Sequence, residues 1–186
     1  MRERCGSEEF LRLELSKNLL VALAKVPYRL PRQNRGTLAM DREIALVASV
    51  RDVAPDVKAY RLMLEDERAV PFEPGGHLDV EVLVGGQVQT RSYSMFLLND
   101  QPGLWIAVRH APHGHGGSAY MWSQKAGMRL GVRRARNSLP VDYSANRYLL
   151  IAAGIGVTPI IAMARALHQA GKSVGMHYCE IGRAHV

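Results

Sequence analysis

Two alternating stretches joined by a glycine pair constrain this chain more than anything else in it. In His77–Val84, Leu78, Val80, Val82 and Val84 alternate with His77, Asp79, Glu81 and Leu83, the period of a strand with one buried face. Gly85-Gly86 joins that stretch to Gln87–Tyr93 as a two-residue hairpin that needs positive φ. A lone hairpin is barely stable in water, so its apolar face demands further strands. The sequence supplies them in Ile44–Val50, Leu104–Arg109, Met128–Arg133 and Val57–Leu64, the last with Val57, Ala59, Arg61 and Met63 on one side. Pro71-Phe-Glu-Pro-Gly-Gly76 is turn chemistry, and one short helix, Ser118–Gln124, interrupts the strands. Short strands with glycine turns at this spacing predict a small antiparallel barrel.

After Asn146 the pattern changes. Tyr148–Ala153 is a continuous apolar run, as expected of a strand buried on both faces of a parallel sheet. Thr158–Gln169 follows with Ile160, Met163, Ala164 and Leu167 on one helical face. Thr158 suits the N-cap, Pro159 the first helical position and Gly171 the stop. Val174–Cys179 reads as a second strand, which makes one β-α-β unit. Met63, Met95 and Met163 fit core positions, and Cys179 reads as a packing residue. The expected class is therefore β plus α/β.

Three segments carry chemistry. Ala152-Ala-Gly-Ile-Gly-Val-Thr-Pro159 sets glycines between a buried strand and a helix start, a seat for pyrophosphate because the backbone can approach closely and the first N–H groups are unpaired. Arg91-Ser-Tyr-Ser94 offers an arginine for a phosphate and, on the same strand face, an aromatic for a planar ring. Gly114-His-Gly-Gly-Ser118 leads into the short helix with glycines and a hydroxyl, again a phosphate cradle.

These strings resemble, in order and spacing, the ferredoxin–NADP reductase superfamily, and over about residues 42–180 its phthalate dioxygenase reductase branch, which includes the vanillate demethylase reductases. The resemblance implies an antiparallel β-barrel flavin domain over 42–142 and the opening of an incomplete Rossmann-like nicotinamide domain over 146–186. Residues 1–41 fall outside the resemblance and are expected to be a helical or poorly ordered extension. It implies FMN, with FAD as the alternative, and NADH or NADPH as hydride donor to flavin N5. Electrons would then pass to an iron–sulfur or oxygenase partner. By position in the motifs, Arg91 would hold the flavin phosphate, Tyr93 the isoalloxazine, and Ser94 would bond near N5. Gly116, Gly117 and Ser118 would cradle the phosphate; Gly154, Gly156 and Thr158 would receive the nicotinamide nucleotide. Ser94 and Thr158 are the catalytic candidates. Asn137 falls where that branch has an Asn before the domain junction.

There are departures. Gly76 stands where the family often has Gln, and Ala153 where it often has a first Gly. A complete member continues the sheet and, in this branch, adds a domain whose cysteines hold a [2Fe-2S] cluster. Here the sequence reaches Val186 soon after the second parallel strand and has two cysteines, Cys5 and Cys179, so no four-thiolate cluster is expected within it. The alternative to turnover is a flavin-binding fragment with an incomplete nicotinamide domain.

Composition limits the other classes. The 186 residues carry net charge +7, and residues 1–40, with eight Lys+Arg against four Asp+Glu, hold +4 of it. No block of five or six like charges occurs, so neither nucleic acid nor membrane is an expected partner. Leu11, Leu15, Leu19 and Leu23 at spacing four suggest a peripheral amphipathic helix. The paucity of cysteine, with no secretory leader or roughly 20-residue apolar span, sets the cytoplasm as the expected location. His110, His113 and His115 lie near the glycine loop, but a zinc site needs three firm ligands with a second shell, and no metal is expected. Arg133, Arg134 and Arg136 read equally as a solvated strand end or as cations for phosphate or an acidic partner.

Overall fold

The structure is a computed structural model; it describes residues 42–66, 70–98 and 103–179, and for Arg134 its backbone alone. The amphipathic pattern of residues 1–40 lies outside the described residues. Six strands close into an antiparallel barrel: β1 (Glu43–Ala54), β2 (Val57–Leu64), β3 (His77–Val84), β4 (Gln87–Phe96), β5 (Leu104–Arg109) and β6 (Arg129–Arg136). They run in the order β1-β2-β5-β4-β3-β6, with β6 paired back to β1. Gly85 and Gly86 take φ of 57° and 76° at the β3–β4 hairpin, the left-handed pair that a two-residue turn requires.

Inward-facing residues of every strand meet in one core. It includes Val47, Tyr60, Leu62, Leu78, Val80, Met95, Ile106 and Val132. Helix α1 (Gly117–Ser123) lays Met121, fully buried, into the same core. Tyr60, with no exposed surface, donates a 2.7 Å hydrogen bond to the Met121 carbonyl and ties α1 to the barrel. The helix begins and ends one residue earlier than its sequence pattern suggests, because Gly116 at φ 80° supplies the turn.

Beyond the barrel, β7 (Arg147–Ala153) pairs in parallel with β8 (Ser173–Cys179), and α2 (Val157–Gln169) crosses between them after a 3₁₀ turn at Gly154–Gly156. A second core joins this unit to the outside of the barrel. Val57, Ala59, Phe96, Trp105 and Ala107 meet Ala152, Val157 and Ile161 there. Helix α2 is therefore covered on two sides, and its buried arc runs through Ile161, Ala162, Met163, Ala166 and Leu167. That is wider than, and displaced from, the Ile160–Met163–Ala164–Leu167 stripe.

Several expectations need correction. Strand β7 is not buried on both faces: Leu149 and Ile151 are 65% and 64% exposed, because α2 covers the other side. Cys179 at the end of β8 is exposed for the same reason. Met63 is also exposed, since β2 turns Tyr60, Leu62 and Leu64 inward. Thr158 does not cap α2. The helix starts at Val157 with Gly156 before it, and Thr158 Oγ1 donates instead to the Ile155 carbonyl at 3.0 Å.

Candidate functional site

The β3–β4 register sets the site. Val80 faces Arg91, Leu78 faces Tyr93, Asp79 faces Ser92 and His77 faces Ser94. Cross-strand partners share a face, so Arg91 and Tyr93 lie on the core side of β4, and Ser92 and Ser94 lie on the outer side. Tyr93 packs against the barrel core. Burial pushes its hydroxyl up to about 12 against the opposing pull of Arg91. Ser94 is half-buried at the start of the buried Met95-Phe96 segment. The structure thus brings Arg91 and Tyr93 onto one surface and sets Ser94 on the opposite face.

Arg91 meets the glycine loop directly. A methyl group at Gly117 would lie 2.9 Å from Arg91 Nε and 3.1 Å from its Cγ, closer than the neighbouring atoms tolerate. Gly116 holds φ 80°, and a methyl there would sit 2.9 Å from Val84 Cγ1. Ser118 Oγ accepts from the Ala111 N–H at 3.1 Å, which closes the Ala111–Ser118 loop. Two segments far apart in sequence therefore meet, with a cation beside a glycine backbone. Gln89, which sequence reasoning passed over, accepts from Arg91 Nη2 at 2.7 Å, while Nη1 donates to the Thr90 carbonyl at 2.9 Å. Its signal was its position two residues before Arg91, on the same strand face.

The second glycine segment lies at the C-terminal end of β7. Gly154 takes φ 51°, and the space beside Gly156 where a side chain would stand is open. Thr158 is buried at the start of α2. Arg109 comes from β5 and was not singled out in the sequence. Its Nε donates to Asp56 Oδ2 at 2.7 Å, and its Nη1 lies 3.9 Å from the position of a methyl at Gly154. A barrel cation thus stands at the nucleotide-type turn. No local motif predicts it, since the contact depends on how the second core docks the two units.

Strand β4 connects the two places. Arg91 sits by the glycine loop, and Tyr93 lies about 7 Å further along at ~3.3 Å per residue. Beyond it Phe96 enters the second core, and Leu97 accepts a 2.8 Å hydrogen bond from Arg165 of α2. A phosphate at Arg91 and a planar ring at Tyr93 would therefore lie in line with the β-α-β unit.

The remaining candidates divide differently. Arg133 pairs with Glu81, and Arg136 pairs with Asp79, so both are tied to carboxylates. His110 packs against Trp122 in a tilted arrangement, the ring centroids 4.7 Å apart and the planes at 43°, and Lys58 Nζ lies 4.7 Å from the same indole. Among the described residues, no three His, Cys, Asp or Glu side chains are grouped to hold a metal ion. No helix among them is long and apolar enough to cross a membrane. Asn137 donates to the Pro74 carbonyl and to Glu73, both at 3.2 Å, and accepts from the Leu139 N–H at 3.0 Å, which clamps the exit from β6.

Residues 45–137 match the family described as an oxidoreductase FAD-binding domain. This chain belongs to that family. The vanillate O-demethylase oxidoreductase of Pseudomonas putida is 36% identical over 137 residues, covering 73% of this chain and 42% of the relative. The phthalate dioxygenase reductase of Burkholderia cepacia is 32% identical over 136 residues, covering 71% and 41%. A solved phthalate dioxygenase reductase, described as a modular structure for electron transfer from pyridine nucleotides to [2Fe-2S], superposes with a TM-score of 0.66. That match is at 30% identity and covers 75% of this chain and 44% of that one. The chain spans about two fifths of the length of these relatives. The superfamily and branch read from the motifs are those of the matches, and the closed barrel is the fold of this oxidoreductase FAD-binding domain family.

Proposed function

We propose that residues 42–142 form a flavin-binding unit and residues from 146 onward the opening of a nicotinamide-nucleotide unit. Together they are the reductase part of an oxygenase system. The observation that carries the reading is the packing of the Arg91 side chain on Gly117, a cradle that any side chain at 117 would fill. Its chemistry fits a phosphate monoester: one guanidinium, glycine N–H groups and a nearby helix start. A single cradle of this kind favours FMN over FAD.

When bound, the flavin would accept a hydride from NADH or NADPH and release electrons singly to an iron–sulfur or oxygenase acceptor. The chain's own residues orient and enclose. Arg91, steadied by Gln89, holds the phosphate end with Gly116, Gly117 and Ser118. Tyr93, partly buried against the barrel core, offers its ring as a packing surface. The motif's role for Ser94, a hydrogen bond near flavin N5, would have to come from its backbone N–H, because the register sets its side chain on the face opposite Tyr93. Gly154, Gly156 and Thr158 seat the dinucleotide, with Arg109 supplying a cation from the barrel.

The test is the absorbance spectrum of the purified protein, with identification of the released flavin and anaerobic addition of NADH. A yellow protein bleached by NADH is the expected result. Failure to take up any flavin refutes the reading. A second outcome, flavin binding without bleaching, would keep the flavin reading and overturn the nicotinamide one.

A further inference from the structure

Behind the flavin strand lies a buried charge that the proposed chemistry does not use. Asp79 is 2% exposed, yet it sits on the outer face of β3. Its carboxylate accepts from Ser92 Oγ at 2.5 Å and forms an ion pair with Arg136 Nη2. Ser92 is the residue between Arg91 and Tyr93.

The ion pair depends on an irregularity of β6. Asp79 pairs with Arg133 and His77 with Arg136, so β6 spends three steps where β3 spends two. This bulge resets the alternation. In a regular strand Arg136 would point to the same side as Leu130 and Val132, which are buried in the barrel core. The extra residue turns it outward onto Asp79. Bulges commonly re-aim a side chain in this manner. Burial alone would raise the Asp79 carboxyl, but hydrogen bonds from Ser92 and Arg136, with the charges of Arg136 and His77, hold it below the usual carboxylate range. Only the carboxylate half of this pair is buried, the Arg136 side chain being 63% exposed, and a buried carboxylate stays ionised only where partners of this kind are held in place. A one-residue slip of β4 against β3 would exchange the faces of Arg91 and Ser92.

We propose that Asp79, with Arg136 and Ser92, is a positioning device that locks the register of β4 and so presents Arg91 and Tyr93 to the flavin. It rests on the flavin reading above. The charges also lie one strand layer from the ring site, so removing either partner alone leaves an uncompensated charge near the flavin.

The experiment compares wild type with Asp79→Asn, Arg136→Gln, the double variant and Ser92→Ala. It measures the dissociation constant for FMN by flavin fluorescence, the midpoint potential of the bound flavin, and the thermal midpoint of the flavin-free protein. Asp79→Asn and Arg136→Gln are each expected to weaken FMN binding about tenfold or more. Their potentials should move in opposite directions, upward for Asp79→Asn and downward for Arg136→Gln, with the double variant near wild type. A generic structural lesion would not give paired shifts of opposite sign. Ser92→Ala keeps the ion pair and the fold. It should weaken binding by a smaller factor with little change in potential, and it keeps the test decisive if a charge variant fails to fold. Unchanged FMN binding and potential in variants of a wild type that binds flavin would overturn this inference alone. A wild type that binds no flavin would overturn the functional reading and this inference with it.

Discussion

Replacing Gly117 with alanine separates folding from binding in a way the geometry can quantify. The added methyl would stand 2.9 Å from Arg91 Nε, 3.1 Å from Cγ and 3.4 Å from Cδ. These atoms are midway along the side chain, so the guanidinium must move as well. Gly117 is the first residue of α1, and its φ is not in the left-handed region. Alanine is therefore compatible with the backbone and would add up to about 1 kcal/mol of helix propensity. Displacing the guanidinium from a phosphate weakens a charge-assisted hydrogen bond of about 1.5–3 kcal/mol. At 1.4 kcal/mol per decade, FMN affinity should fall roughly 10- to 100-fold. Titration of flavin fluorescence with flavin-free protein measures this, and riboflavin is the control because it lacks the phosphate. The variant should bind riboflavin as wild type does, and its thermal midpoint without flavin should be unchanged or slightly higher. An equal loss for riboflavin, or no loss for FMN, would refute the assignment of Arg91 and Gly117 to a phosphate.

Other expectations follow from single contacts. Tyr60→Phe removes the buried bond to the Met121 carbonyl and should cost about 1–2 kcal/mol, seen as a drop of a few degrees in the thermal midpoint. Gly75→Ala should cost more than about 2 kcal/mol in a denaturant titration, because φ is +89° and the methyl would collide with the Leu139 carbonyl and Met163 Cε. The lowered Asp79 carboxyl contributes stability that is present above its unfolded value near about 4 and lost as pH falls through its native value. Thermal midpoints taken from pH 6 to pH 2 should therefore decline less steeply for Asp79→Asn than for wild type. Arg109→Ala should weaken NADH binding roughly tenfold, by removing a cation at Gly154, while leaving the FMN dissociation constant unchanged; equal NADH affinity would sink that role.

Much of the barrel was legible because its strands obey a period of two and its turns carry glycine. The His77–Val84 strand and the Gly85-Gly86 turn stand where the alternation put them. Arg91 packs against Gly117, from a segment 26 residues further along the chain. What the sequence concealed depends on contacts between distant segments. Trp105 and Ala107 alternate with Leu104, Ile106 and Val108, yet all five are buried, because the outside of β5 is covered by the second core. Asp79 occupies an outward position in its strand and would be read as solvated; a bulge between Arg133 and Arg136 at the end of β6 turns Arg136 onto it. Leu149 and Ile151 read as core because apolar runs carry no record of which face a helix covers. Ser94 follows Tyr93 directly, and adjacency in a strand sends the two side chains to opposite sides.

Strand β5 divides its residues between two cores, with Leu104, Ile106 and Val108 on one side and Trp105 and Ala107 on the other. A party wall of this kind makes melting communal: loosening either room slackens the shared partition. The barrel and the β-α-β unit should thus unfold in one transition, even with the 137–146 connection cut. A barrel excised at that connection would expose the Trp105 side of β5 to water and to any other apolar surface. Transplanting the barrel as a separate flavin module therefore calls for a polar redesign of that outer face.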